Sequence, residues 1–427
     1  MKRITILVAA LAVAGPWGAA AQDCDTSPLV VSNVTVWTPE GPLAGRDVVV
    51  RRGRVESVEP TGARHPGLRV LEGAGHTLLP GLIDAHLHFS VPGGLPGQGR
   101  TDTAALTARQ LLSSGVTSGR LHLTTIEEAA ALKRRSQDPC AAIPSLQVGG
   151  PGLSGAAERD FPAFQGARSA EDAVAKVRRF AQAGADWVAL HEVDRFPADV
   201  LQALARAARD AGVRLMVQGS TPAEIEAALR IHPDTLDYID RTTATGYSPE
   251  SLEQIRSARE IVLVPTLGVP YRATEYRRDP AALAHPSNFR LFPPGDADVV
   301  LANARKDLDS DSTARTLAYA PTLAAKLRQL LALGHPVAIG SDAGSPMHFQ
   351  ANAIWWEMQA WRAAGVPHRE VLTAATVNGA RVLRQADVGH LRPGARADFV
   401  LYRGDVGEGA FDVERVKAVA RGGVLMR

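Results

Sequence analysis

The nine residues Pro80-Gly81-Leu82-Ile83-Asp84-Ala85-His86-Leu87-His88 decide how this chain is read. Leu82 to His88 has the apolar character of a buried strand, and Pro80-Gly81 punctuates the chain just before it. Side chains alternate along a strand, so His86 and His88 project to the same side and converge at its C-terminal end. Two imidazoles so placed are half of a ligand set for a divalent ion such as zinc. An HxH pair alone is a weak signal. This one gains weight from its position, at the junction between a β-rich segment and a long stretch of different rhythm.

Upstream, residues 28–80 read as short strands: Val30 to Trp37, Asp47 to Val50 and Leu68 to Leu71, separated by Gly and Pro. Downstream the chain alternates strand, loop and helix. The strand candidates are Leu82–His88, Val116–Leu121, Ser145–Val148, Trp187–Leu190, Val213–Val217, Leu236–Ile239, Ile261–Pro265 and Val337–Gly340. Helix starts lie between them, with Ser169-Ala170-Glu171-Asp172 as a capping pattern and Thr221-Pro222 placing Pro at the first helical position. Eight strands alternating with helices predict an α/β fold, a parallel (β/α)₈ TIM barrel over residues 81–384, with its active site at the C-terminal ends of the strands. The gap at 266–336 is too long for a simple crossover and predicts an extra helical segment over the barrel mouth. After Leu383, Ala397 to Tyr402 and Val416 to Leu425 are again β-like. Neither terminal set is large enough for its own core, so residues 22–80 and 385–427 are expected to pair with one another.

The eighth strand candidate runs into a second anchor, Val337-Ala338-Ile339-Gly340-Ser341-Asp342-Ala343-Gly344. An apolar strand tipped by a carboxylate could ligate a metal and accept a proton from water, or merely cap the turn that follows. Together with Ala374-Ala375-Thr376-Val377-Asn378-Gly379-Ala380 and Gly389 to Asp398, these motifs resemble the amidohydrolase superfamily, in its imidazolonepropionase-like and prolidase-like exported branch, over nearly the whole chain after the leader. The resemblance implies a TIM barrel with a composite β-sandwich built from both termini, and metal-dependent hydrolysis of amide, peptide or ester-like bonds.

The chain departs from that pattern at three places. Ala189 stands where a carboxylated lysine is expected, Gln218 where a histidine is expected, and Asp237-Tyr238 where Glu-His is usual. The losses remove what is particular to a second ion and to the bridge, and leave His86, His88 and Asp342. The expectation is therefore one divalent ion, zinc, on those three residues, with Asp342 also moving the proton. His191, two residues beyond Ala189, is a candidate extra ligand or acid/base. His348, Gln218 and Tyr238 are candidate substrate contacts, His122 after the second strand ranks below these, and Trp355-Trp356-Glu357 reads as helix packing. The predicted activity is hydrolysis of a C–N or ester-type bond in a small molecule by one metal-activated water. The alternative is a non-catalytic relative kept as a binding or interaction module.

Charge and targeting set the surroundings. Lys2 and Arg3 precede an apolar run from Ile4 to Ala14, and Ala19-Ala20-Ala21 offers a cleavage site, so residues 1–21 read as a signal peptide rather than a membrane anchor. Without the leader, 45 Lys and Arg face 45 Asp and Glu, a balance that argues against nucleic acid or an anionic membrane as partner. The expected location is across the inner membrane, in the periplasm. Cys24 and Cys140 are the only cysteines and there predict a disulfide, the alternative being two separate buried thiols.

Overall fold

Leu29–Val36 and Leu43–Arg51 are rich in valine, a side chain that packs well on a pleated surface, and they pair antiparallel. The computed structural model describes residues 24–91, 103–156, 163–258, 260–407 and 411–426. The expected leader at 1–21 lies outside them. The first two strands belong to an eight-stranded sheet whose order joins the two ends of the chain. Val424–Met426, Val416–Arg421 and Phe399–Arg403 lead into His76–Pro80, which continues through Leu29–Val36 and Leu43–Arg51 to Arg54–Pro60. Arg69–Glu72 pairs with Leu29–Val36 off this path. The sheet curls until Val55 N donates to Ala395 O (2.9 Å) and Ala397 N to Gly53 O (2.9 Å). The hairpin at Gly422-Gly423 has φ of 55° and 77°, as a two-residue turn matched to strand twist requires, and only glycine adopts both cheaply.

Alternation along this sheet serves two cores at once. Leu78, Phe399 and Leu401 face a core inside the curled sheet with Val31, Val48 and Val55. Their neighbours Leu79, Val400 and Tyr402 face the main core of the barrel. The indole of Trp355 stacks on Tyr402 with ring centroids 5.4 Å apart, the packing role expected for it.

The barrel strands are Leu82–Leu87, Val116–Leu121, Ser145–Val148, Trp187–His191, Arg214–Gln218, Thr235–Asp237 and Val262–Val264, paired in parallel. The eighth segment closes the ring by hydrogen bonds rather than as a regular strand. Ala338 N donates to Leu263 O (2.8 Å), Ala85 N to Ile339 O (2.9 Å) and His88 N to Ala343 O (2.8 Å). The third strand departs from the sequence expectation. It bends at Gly149-Gly150, where Gly150 has φ 98°, and resumes as Gly152–Ser154, which pairs with the fourth strand and with an additional strand, Phe164–Gly166. The Ser169 and Thr221 side chains cap their helices by accepting from Asp172 N and Glu224 N.

The long gap holds helices Gly268–Arg278, Pro294–Leu308 and Asp311–Tyr319 before Leu323–Ala332 returns to the barrel. Tyr276, Leu283, Val300, Ala304 and Leu308 from this insertion pack on Val91, Met347 and Phe349. Those three residues follow His88 and Asp342, so the insertion covers the C-terminal end of the barrel. Among the described residues no helix is long and apolar enough to cross a membrane. Cys24 and Cys140 form a disulfide with Cα atoms 5.4 Å apart, tying the chain before the sheet to the loop before the third barrel strand.

Candidate metal centre

His86 and His88 leave the first strand on the same side, and the eighth segment makes room for both. A Cβ on Gly340 would stand 2.7 Å from His86 Cβ, and one on Gly344 would stand 3.0 Å from His88 Cβ. The two glycines of the Gly-Ser-Asp-Ala-Gly stretch are thus explained by imidazole packing. His122, just past the second strand, completes a triangle: its ring centroid is 4.2 Å from that of His86 and 4.4 Å from that of His88. Ligand nitrogens of His86, His88 and His122 all lie within 4.8 Å of one another, the one such group among the described residues, and all three side chains are buried.

Two of these rings are oriented by partners outside the triangle. His86 Nδ1 donates to Asp237 Oδ2 (2.7 Å), which leaves Nε2 buried with no hydrogen bond among the described residues, 3.8 Å from Asp342 Oδ1. Asp237 is in turn held by Arg120 and by Thr235 Oγ1 (2.7 Å), while Arg120 Nε donates to Ala85 O (2.6 Å). His88 Nδ1 faces His122 O at 3.1 Å, and its Nε2 lies 3.1 Å from Asp342 Oδ1. Both nitrogens of His122 are buried without a hydrogen bond among the described residues. Burial holds His86 below the usual imidazole range despite Asp237, and burial with the neighbouring His86 and His88 holds His122 well below it. Neutral imidazoles with free nitrogens are what a metal ion binds. The donor set therefore fits a single divalent ion, with a carboxylate alongside.

Asp342 sits among donors. Ser345 Oγ (2.8 Å) and Tyr238 OH (3.1 Å) reach it, and Arg241 Nη2 is 3.6 Å away. Burial would raise its carboxyl, but the His88 contact and the nearby His86 and Arg241 hold it well below the usual carboxylate range. Tyr238 is pushed above the usual phenol range by burial and by Asp342, so it remains a donor. Its ring carries the Arg241 guanidinium at 3.5 Å. Leu123, Tyr238, Thr266 and Asp342, all at strand ends, have φ between 49° and 70°. Such left-handed backbone is costly away from glycine and concentrates at functional sites.

The remaining sequence candidates are placed as follows. His191 is one ring further out, its centroid 6.3 Å from that of His122 and 4.5 Å from Phe164, outside the ligand triangle. Ala189 sits with Trp187, Met216, Val264 and Ala338 in a small apolar cluster. Gln218 ends the fifth strand, half-buried. His348 is fully buried, its ring against Gly268. Glu357, read as packing, instead accepts from Gly268 N and from Trp361 Nε1 (2.8 Å). His122, which the sequence ranked below the other candidates, lies beside His86 and His88, and Asp237 and Arg120, which it did not name as site residues, stand behind His86. The open clefts of about 620 and 710 Å³ lie at the seam between sheet and barrel, beside Trp37, and hold none of the three histidines.

The model of the Amidohydrolase family matches residues 77–425. The chain belongs to the amidohydrolase family. It is 25% identical over 370 residues to an imidazolonepropionase of Mycolicibacterium smegmatis, with 85% of each chain covered. It is 26% identical over 384 residues to one of Symbiobacterium thermophilum, covering 85% of this chain and 84% of that one. The stretch shared with the imidazolonepropionase of Streptomyces griseus subsp. griseus is shorter, 38% identical over 74 residues and 19% of that relative's length. Among solved structures, a Xaa-Pro dipeptidase with bound methionine has a TM-score of 0.72 at 18% identity, with 94% of this chain and 100% of that one covered. A prolidase complexed with N-methylphosphonate-L-proline has 0.71 at 21% identity, with the same coverage. These structural likenesses carry the fold, the barrel with its β-sandwich, and family membership makes the chain a hydrolase of amide-type C–N bonds.

Within this amidohydrolase, Asp237 orients a candidate ligand through His86 Nδ1. Asp237→Asn keeps the shape but removes the charge and leaves Arg120 buried beside a neutral amide. Zinc affinity, measured by chelator competition, should fall about 10–100-fold, the range for loss of such an outer partner. Wild-type affinity would mean that Asp237 serves only the Arg120 ion pair.

Proposed function

We propose that this amidohydrolase is an exported hydrolase that uses one zinc ion, held by His86, His88 and His122, to cleave an amide, dipeptide, cyclic-amide or ester-type bond of a small molecule. The observation that carries the reading is the triangle of buried imidazoles with ligand nitrogens within 4.8 Å, with Asp342 3.1 Å from one of them. A methyl group at Ala189 cannot bridge two ions, and Gln218 and the protonated phenol of Tyr238 are poor zinc ligands, which supports one ion rather than two. The relatives named imidazolonepropionase, prolidase and Xaa-Pro dipeptidase bring small amides and dipeptides into the substrate class.

When bound, a zinc ion would polarise the scissile carbonyl as a Lewis acid and bring the acidity of water near neutrality. Asp342 takes the proton as water oxygen adds to the carbonyl carbon. It passes that proton to the leaving nitrogen as the C–N bond breaks, giving acid and amine. Tyr238 and Ser345 hold the carboxylate in place through this exchange, and the Arg241 charge 3.6 Å away favours its ionised form. The leader at residues 1–21, together with the Cys24–Cys140 disulfide, supports export to an oxidising compartment, the periplasm. Elemental analysis of the purified protein, combined with a panel of amide, dipeptide and ester substrates, tests the reading. One equivalent of zinc per chain and turnover on the panel are expected. Two equivalents would overturn the one-ion site, and none under saturating zinc would overturn the hydrolase.

A further inference from the structure

The two oxygens of Asp342 face different groups. Oδ1 lies 3.1 Å from His88 Nε2 and 3.8 Å from His86 Nε2, on the side of the imidazole triangle. Oδ2 accepts from the Tyr238 hydroxyl (3.1 Å) and lies 3.6 Å from Arg241 Nη2. The Arg241 guanidinium rests on the Tyr238 ring, its carbon 3.5 Å from the centroid. That ring is in turn 5.1 Å from the imidazole of His86. Cation and triangle thus flank one carboxylate.

Several interactions fix Arg241 in this place. Its backbone N donates to Ser220 O (2.8 Å). The carbonyls on either side of it, Asp240 O and Thr242 O, both accept from the ammonium of Lys326 (2.7 and 2.9 Å). Lys326 belongs to the helix Leu323–Ala332 and is fully buried. Asp240 Oδ1 accepts from Thr242 N (2.9 Å) and closes the turn. The two residues that the guanidinium touches, Tyr238 and Thr266, have left-handed backbone, with φ of 70° and 49°. A buried ammonium and strained backbone are both costly, and here their common effect is to hold one side chain.

Only part of that side chain's donor set is committed within the fold. A guanidinium has five N–H donors. One reaches Thr266 Oγ1 at a long 3.3 Å, and Nε is buried with no hydrogen bond among the described residues. Asp342 is a neighbouring charge beyond hydrogen-bond reach. The side chain keeps 20% exposure, so a small molecule beside Asp342 can meet it.

We propose that Arg241 is a catalytic residue: it binds the scissile carbonyl oxygen and holds the negative charge that develops there, a fixed cation in place of a second ion. This deepens the hydrolase reading and rests on it. Water oxygen adds to the carbonyl carbon, and its proton goes to Asp342. The carbonyl π pair moves onto oxygen, which accepts from a guanidinium N–H. When the C–N bond breaks, that pair re-forms the carbonyl and Asp342 gives its proton to the leaving nitrogen. A guanidinium suits the role because it stays charged and, once preplaced, needs no reorganisation as charge develops.

The test uses the purified full-length protein and two probes with no C–N bond. Benzyl(methyl)phosphinate is a tetrahedral anion, and phenylacetone is its planar, neutral counterpart. Calorimetric titration of the wild type should show the phosphinate binding at least about tenfold more tightly, the worth of one hydrogen bond to a charged group. Arg241→Met should weaken the phosphinate by roughly 10–100-fold and the ketone by less. Arg241→Lys keeps a charge without the fork and should lose less; it carries the comparison should Arg241→Met not fold. Elemental analysis should find equal zinc in wild type and Arg241→Met. Zinc absent from both would sink the hydrolase reading and leave the Arg241 comparison standing. Zinc absent from Arg241→Met alone would overturn the proposal, since the effect would then run through the metal. Equal phosphinate binding by wild type and Arg241→Met, or none by either, would also overturn it. So would a loss that vanishes in an Asp342→Asn background, because Arg241 would then act only through the carboxylate.

Discussion

Purified His122→Ala protein should carry no zinc, where the wild type is expected to carry one equivalent per chain, and should hydrolyse nothing above background. His122 contributes one corner of the triangle and has no other hydrogen-bond work for its ring among the described residues. Two nitrogens from His86 and His88 fall short of the three protein ligands a catalytic zinc keeps. The loss should exceed the roughly 10–100-fold cost of an outer partner and reach on the order of a thousandfold in affinity. His191→Ala is the control: its ring is 6.3 Å from His122, so zinc content should stay at one equivalent. Metal retained by His122→Ala, or lost from His191→Ala, would move the site outward along this row of imidazoles.

The second large effect concerns stability. Cys24 and Cys140 close a loop with a sequence separation of 116, for which the chain-entropy account gives about 4–5 kcal/mol. That is a large part of the ~5–15 kcal/mol typical of a whole domain. The loop around Cys140 is also clamped by Arg421, whose guanidinium donates to Ser136 O (2.7 Å) and Asp138 O. The double variant Cys24→Ala/Cys140→Ala should therefore melt lower by on the order of 5 °C while still binding zinc. An unchanged melting temperature would show that the Arg421 clamp suffices.

The first strand was legible because alternation with a period of two is rigid, so His86 and His88 had to share a side. The eighth was legible because its glycines flank Asp342 at a fixed spacing. His122 lies one residue past the end of Val116–Leu121, where alternation no longer guarantees direction. A signal was nevertheless present. Arg120 is a charge inside a fully buried strand, which marks the inward side, and His122 has the same parity. The bond from His86 to Asp237 spans 151 residues and could not be read from local pattern. His348 read as a substrate contact from its place shortly after Asp342; that the inserted helix lies against it at Gly268 could not be read from local pattern. The bend at Gly149-Gly150, which splits the third strand, depends on the His122 side chain beneath it, 3.3 Å from where a Gly149 Cβ would sit.

The strand Phe399–Arg403 lies between His76–Pro80 and the C-terminal hairpin, with one face in each core. A ribosome delivers it more than three hundred residues after its partner. Until then His76–Pro80 presents a bare, apolar edge, and contacts of such long sequence separation form slowly. Folding of the two cores should therefore be coupled and late, so that a refolding experiment reports one slow phase in which sheet and barrel signals rise together. The nascent chain, held open for that interval, is in the state that threading through a membrane pore requires and in which strand edges are most exposed to aggregation.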